Sequence, residues 1–159
     1  MSDDILLKLT DVPGESKKSG HEAEIDVSSV SFGLSNSVNT SSGGGGGGAG
    51  SVVFQDIHIV KASDSSSHEL MKRCATGKPI TEAVFTFRKQ GGEQQEYCIL
   101  TLSNVVVSSL QVGHGGGDPT ESLSLAFDKY KFEYKEQSED GSLSGAKTFG
   151  WDIKAAAEA

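Results

Sequence analysis

The stretch Glu24-Ile25-Asp26-Val27-Ser28-Ser29-Val30-Ser31-Phe32-Gly33-Leu34 alternates apolar and polar residues and then changes phase. Ile25 and Val27 carry the apolar positions at odd numbers; Val30, Phe32 and Leu34 carry them at even numbers. A period of two predicts a strand with one buried face. A slip of one residue would send half of the apolar set to the opposite face, so the pattern predicts a bulge at Ser28-Ser29 that absorbs it. A second slip lies near Asp128-Lys129, where Leu123, Leu125 and Phe127 give way to Tyr130, Phe132 and Tyr134. Bulges bend strands, and bent strands curl sheets. The expected fold is mainly β: a β-barrel of two curved antiparallel sheets.

The rest of the chain fits that expectation. Ile5–Leu9, Val52–Lys61, Ile80–Lys89 and Glu96–Leu110 read as further strands, the last with a break near Ser103-Asn104. Phe149, Trp151 and Ile153 alternate as a final strand, and Ala155–Ala159 reads as a loose tail. Ser65–Thr76 is the single expected helix. Ser66 and Glu69 have capping-box spacing, and Leu70, Met71, Cys74 and Ala75 recur on one face. Gly77 and Pro79 stop it. Between Leu34 and Val52 the chain changes character. The segment 36–50 contains six consecutive glycines, Gly43 to Gly48. Such a segment cannot form a core and is costly to order. It reads as an extended, mobile hairpin loop inside one domain spanning 1–159.

Composition narrows the function classes. The 159 residues carry a net charge of −8, which counts against nucleic acid as a partner. No apolar run approaches the roughly 18 residues of a membrane span. The start, Met1-Ser2-Asp3-Asp4, is acidic where a signal peptide is basic. Cys74 and Cys98 form no CxxC pattern and read as reduced thiols in or near the core, with a disulfide as the alternative.

The search for chemistry returns no catalytic, metal-binding or cofactor-binding residues. The glycine run is followed by a strand, and Ser51 stands where a phosphate loop has its lysine. His21, His58, His68 and His114 are scattered without ligand spacing. Ser66 and Ser67 beside His68 lack a nucleophile elbow, and capping accounts for them. Glu139-Asp140 near Gly141 reads as a solvated turn.

A run of short fragments, in order, resembles the haemolysin co-regulated protein (Hcp) family of bacterial type VI secretion. The first are Leu9-Thr10-Asp11-Val12-Pro13-Gly14-Glu15-Ser16 and His21, then Ile25-Asp26-Val27 and Ser31-Phe32-Gly33 before the Gly-rich loop. Phe54-Gln55-Asp56, Asp64 and Leu70 through Gly77-Lys78 follow. Leu100-Thr101-Leu102, Val105, Val107, Thr120-Glu121-Ser122, Leu125, Phe127, Tyr134 and Gly150-Trp151 complete the series. The resemblance implies a non-enzymatic tube subunit. Hexameric rings stack into a tube, the lumen holds effector proteins, and a spike protein and a contractile sheath are further partners. It also implies a cytoplasmic protein that is then exported without a signal peptide. Ser31 is the candidate lumen and effector residue, on the reading that Val30, Phe32 and Leu34 face the core and Ser31 the other way. Asn36, Gly43, Gly48 and Gly50 are the candidates for ring stacking. The alternative is a monomeric β-barrel module that binds a peptide or carbohydrate.

Overall fold

The computed structural model describes residues 3–37, 51–89, 95–137 and 143–159. In chain order the strands are β1 (Asp4–Leu9), β2 (Ile25–Val27), β3 (Ser29–Ser31), β4 (Leu34–Asn36), β5 (Val52–Phe54) and β6 (Ile57–Ala62). The helix α1 (Ser67–Thr76) follows, then β7 (Ile80–Arg88), β8 (Glu96–Gly113), β9 (Thr120–Ala126), β10 (Lys129–Tyr134), β11 (Lys147–Asp152) and β12 (Ala157–Glu158). The molecule is mainly β with one helix among the described residues, as the alternation predicts. The Gln90–Glu93 turn expected between β7 and β8 and the Glu139-Asp140 turn lie outside the described residues.

Two antiparallel sheets share β8. One runs β12-β11-β10-β8-β7-β1-β2 and the other β3-β6-β9-β8. The first ten residues of β8, Glu96 to Val105, lie between β7 and β10; from Val106 on, the strand pairs with β9. At the change Asn104 takes a left-handed φ of 53°, and its side-chain amide donates to the Asp128 carboxylate. Asp128 is itself the residue that joins the two sheets between β9 and β10, and its backbone N–H donates to the Ser103 carbonyl at 3.0 Å. Both chains therefore turn the corner together. The break expected near Ser103-Asn104 is this corner, inside one continuous strand.

The phase slips have the same cause. β2 ends at Val27 in the first sheet, and β3 begins at Ser29 in the second. Between them the Ser28 N–H donates to the Val60 carbonyl at 2.7 Å. The slip at Ser28-Ser29 is thus a change of sheet rather than the expected bulge. Register irregularities do occur, but between Val107 and Ser109 and between Phe87 and Arg88. Among the described residues the pairings form two large sheets joined at corners and a separate β4–β5 ribbon, not one closed ring of strands.

The core lies between the sheets and under the helix. Ile25, Ile57, Ile80, Ala83, Phe85, Leu100, Leu102, Val105 and Leu125 are completely buried. Lys61 sits on the inward face of β6 and is completely buried too. Its Nζ lies 2.9 Å from Glu121 on β9 and 3.1 Å from Asp64. Ser67 Oγ donates to the other Glu121 oxygen at 2.5 Å. This network ties the start of α1 to both strands.

Several local expectations change. The capping box does not form: the Ser66 hydroxyl donates to Asp64 Oδ1 at 2.5 Å, and Glu69 instead accepts from Arg73 Nε at 2.9 Å. On the expected apolar face only Leu70 is buried; Met71 and Ala75 are exposed, and Arg73 replaces them inside. Gly77 does end the helix, with a φ of 69°. The loose tail folds back: β12 pairs with β11, and the Ala159 N–H donates to the Gly150 carbonyl at 3.1 Å.

Candidate assembly and cargo surfaces

The glycine-rich segment is flanked by the two strands of a ribbon. β4 and β5 pair with each other and with neither large sheet: Leu34 lies opposite Phe54, Ser35 opposite Val53, and Asn36 opposite Val52. The Ser37 N–H continues the ladder to the Ser51 carbonyl at 3.2 Å. Asn36 is therefore an exposed ribbon residue beside the excursion. The other stacking candidates, Gly43, Gly48 and Gly50, lie outside the described residues. Leu34 and Val53 expose 50% and 54% of their surface. Exposure of this size on paired strands is apolar area that the fold itself does not use.

The ribbon is anchored on rings. Phe54 packs against Tyr130 at 5.3 Å, Phe127 at 6.1 Å and Trp151 at 6.4 Å between centroids. Phe32 adds contacts to Tyr130 and Phe132, and Phe149 to Tyr130 and Trp151. Tilted and edge-on pairs of this kind add to what area burial alone supplies. The outer members, Phe32 and Phe149, remain 37% exposed. The reading of Val30, Phe32 and Leu34 as one core face is thus corrected. Val30 is half-buried against the core, but β3 ends at Ser31 and the alternation ends with it. Phe32 then belongs to this aromatic surface.

Ser31 is exposed on β3 and lies opposite His58 of β6. His58 lies opposite Ser124 of β9, and Ser124 opposite Ser109 of β8. The row crosses the face of the second sheet that Ser31 and His58 share, with Ser124 at its middle buried to 5% exposure. Ser124 Oγ shares hydrogen bonds with Ser108 and Ser109 at 2.6 and 2.5 Å, and Ser108 donates to Asp56 at 2.7 Å. The surface offers hydroxyls and one imidazole. Alternation along β3 alone places Ser31 outward; the rest of the row depends on register between strands far apart in sequence.

Among the described residues no group of three or more His, Cys, Asp or Glu side chains could hold a metal. Cys74 is half-buried and Cys98 buried, both as free thiols. Burial pushes the Cys98 thiol up to about 11, so it stays protonated and unreactive near neutrality. An open groove is lined by Asn104, Asp128, Lys129, Asp152 and Lys154. Its charges already pair with one another, Lys154 with Asp128 at 3.0 Å and Lys129 with Asp152 at 3.8 Å.

The fold is that of type VI secretion proteins. The solved structure of a type six secretion system protein superposes with a TM-score of 0.93 at 26% identity, covering 99% of this chain and all of the other. Hcp1 from Salmonella typhimurium matches with a TM-score of 0.82 and 28% identity over the full length of both chains. The sequence profile of the family described as type VI secretion system effector, Hcp, matches residues 6–134, and the chain belongs to that family. It is 42% identical to Protein hcp1 of Pseudomonas aeruginosa over 158 residues, or 97% of each chain.

Proposed function

We propose that the chain is a structural subunit of the type VI secretion inner tube. Copies close head to tail into a hexameric ring, rings stack, and the lumen carries effector proteins. A heterologous contact repeated around an axis closes a ring without any further partner. The observation that carries the reading is the β4–β5 ribbon. It pairs with neither sheet, exposes Leu34 and Val53, and brackets the glycine-rich segment. A surface of this kind suits a neighbouring chain. The subunit is not an enzyme in this reading. Spike and sheath are its other partners in the apparatus. It is made in the cytoplasm and leaves through that apparatus.

Mass in solution tests the assembly. Light scattering should give six protomer masses; a monomer at all concentrations would overturn the ring and favour the peptide- or carbohydrate-binding module. Ser31 is the proposed lumen contact for effectors. Ser31→Gln adds bulk without charge at an exposed site, so ring mass should stay unchanged while effector recovery in a pull-down falls. Unchanged recovery with an intact ring would remove Ser31 from the cargo path.

A further inference from the structure

One histidine is held unlike the others. His21 is buried to 9% exposure, with Nδ1 2.8 Å from Glu24 Oε2 and Nε2 2.6 Å from Glu96 Oε1. Glu24 lies in the same loop, just before β2; Glu96 opens β8, 75 positions along the chain. A neutral imidazole has one N–H and one lone pair, so it can donate to only one of the two carboxylates. The imidazolium donates to both, and both separations are in or below the charge-assisted range.

The loop that His21 holds is already folded around itself. The Gly14 N–H donates to the Ala23 carbonyl at 2.7 Å, Ser16 to Glu24 at 2.9 Å, and Ala23 to Ser16 at 2.8 Å. The His21–Glu96 contact fastens this unit to β8. The other charged groups of the corner come from each neighbouring element. Lys18 of the loop reaches Asp26 on β2 at 2.9 Å and Asp4 on β1 at 3.9 Å. Arg88 on β7 reaches Asp4 at 3.3 Å and the Ser19 carbonyl at 3.3 Å. Glu22 accepts from the Gly20 N–H. Lys18 and Arg88 thus have acidic partners of their own, which among the described residues leaves the two glutamates to the imidazolium.

We propose that His21 is a pH-operated clip: protonated, it bridges Glu24 of the loop at 13–24 to Glu96 at the start of β8, and deprotonated it gives up one of those two hydrogen bonds and slackens that corner. Burial works to lower the His21 pKa, but the hydrogen bonds from Glu96 and Glu24 and their charges outweigh it and raise it above the ordinary value. The contribution is therefore complete below about pH 6.5 and is lost as pH rises through the higher folded value.

The test is an NMR titration of the full chain, labelled with nitrogen-15, from about pH 5.5 to about 9.5. The His21 ring nitrogens should both stay protonated through neutrality. Their deprotonation should coincide with shift changes at the Ser16, Ala23 and Glu96 amides. Glu96→Gln, at a half-exposed position, should lower the midpoint by about one pH unit and move the amide changes with it. Glu24→Gln serves as the second variant and should act in the same direction. The proposal is overturned if His21 titrates at or below an ordinary imidazole, or if the ring is neutral at neutral pH. It also fails if the amides do not follow the ring, or if both variants leave the midpoint in place.

Discussion

Lys61 and Glu121 are both sealed from solvent and 2.9 Å apart. Each is tolerable because the other lies beside it, with Asp64 and Ser67 completing the network, since an unpaired charge at this depth would cost several kcal/mol. Burial alone would raise the Glu121 carboxyl; hydrogen bonds from Ser63, Ser67 and Lys61, with the Lys61 charge, instead hold it below the ordinary carboxylate range. Its stabilisation is thus present above about pH 4.5 and fades as pH falls through the lower folded value. Lys61→Met should lower stability by about 3–5 kcal/mol in urea unfolding at neutral pH, because it strands Glu121. Much of that loss should be recovered by adding Glu121→Leu. Gly14 makes a different demand. A Cβ there would stand 2.6 Å from the Glu24 carbonyl oxygen and 2.8 Å from the Ile25 Cα, both backbone atoms that cannot turn aside. Gly14→Ala should cost about 1–3 kcal/mol by forcing loop and strand apart, measured by the same unfolding. Neither demand is legible in one sequence. Lys61 occupies an inward strand position, but its partner lies 60 positions away. Gly14 sits in an ordinary Pro-Gly turn signal that gives no hint of the strand pressed against it.

Helix and ribbon show how far local pattern reaches. The stop at Gly77 is readable because it depends on one residue: only glycine takes a left-handed φ freely. The capping box fails because it needs two free side chains, and here Asp64 has taken Ser66 while Arg73 has taken Glu69. The strands are readable because alternation survives any partner choice. Their corners are not, because a change of sheet at Ser28 and a bulge leave the same mark on the apolar phase. The aromatic anchorage of the ribbon depends on pairings from three parts of the chain, Tyr130 opposite Trp151 among them. Phe54 is its hinge, so Phe54→Ala should loosen β4–β5 while both sheets persist. The expected loss is about 2 kcal/mol, less than the roughly 3–5 of a fully buried Phe. Trp151 is the sole tryptophan, and its fluorescence should shift to the red. An unchanged emission with unchanged stability would mean that the ribbon does not rest on Phe54.

At the scale of the whole molecule, family membership was legible from the order of short fragments along the chain, although none of them is distinctive alone. The proposed assembly rests on that resemblance and on the exposed ribbon, not on any single motif. Formal charge alone makes copies repel: each carries −8, so contacts between the proposed rings would have to overcome like-charge repulsion that salt screens. Contact must then come from elements that meet a neighbour without burying charge. The described ends of the Gly-rich excursion meet this condition, since Ser37 and Ser51 are already paired at 3.2 Å and exposed neighbours Leu34 and Val53 are apolar. Deleting Gly43–Gly48 leaves that base intact and still leaves enough chain to close the turn. The proposed hexamer should therefore keep its mass in light scattering, with unchanged thermal stability of the protomer. What should be lost is reach: if the proposed rings stack through this segment, sedimentation at an ionic strength where the full-length chain stacks should show only single rings of the deletion variant. Ordering the full excursion would cost about 1–2 kcal/mol per residue in backbone freedom. In the proposed stack, contact between rings would have to offset that cost, and the deletion would remove the contact along with it. If the deletion instead dissolves the hexamer, the excursion belongs to the contact within a ring, and stacking must be sought on the exposed edges of the two sheets.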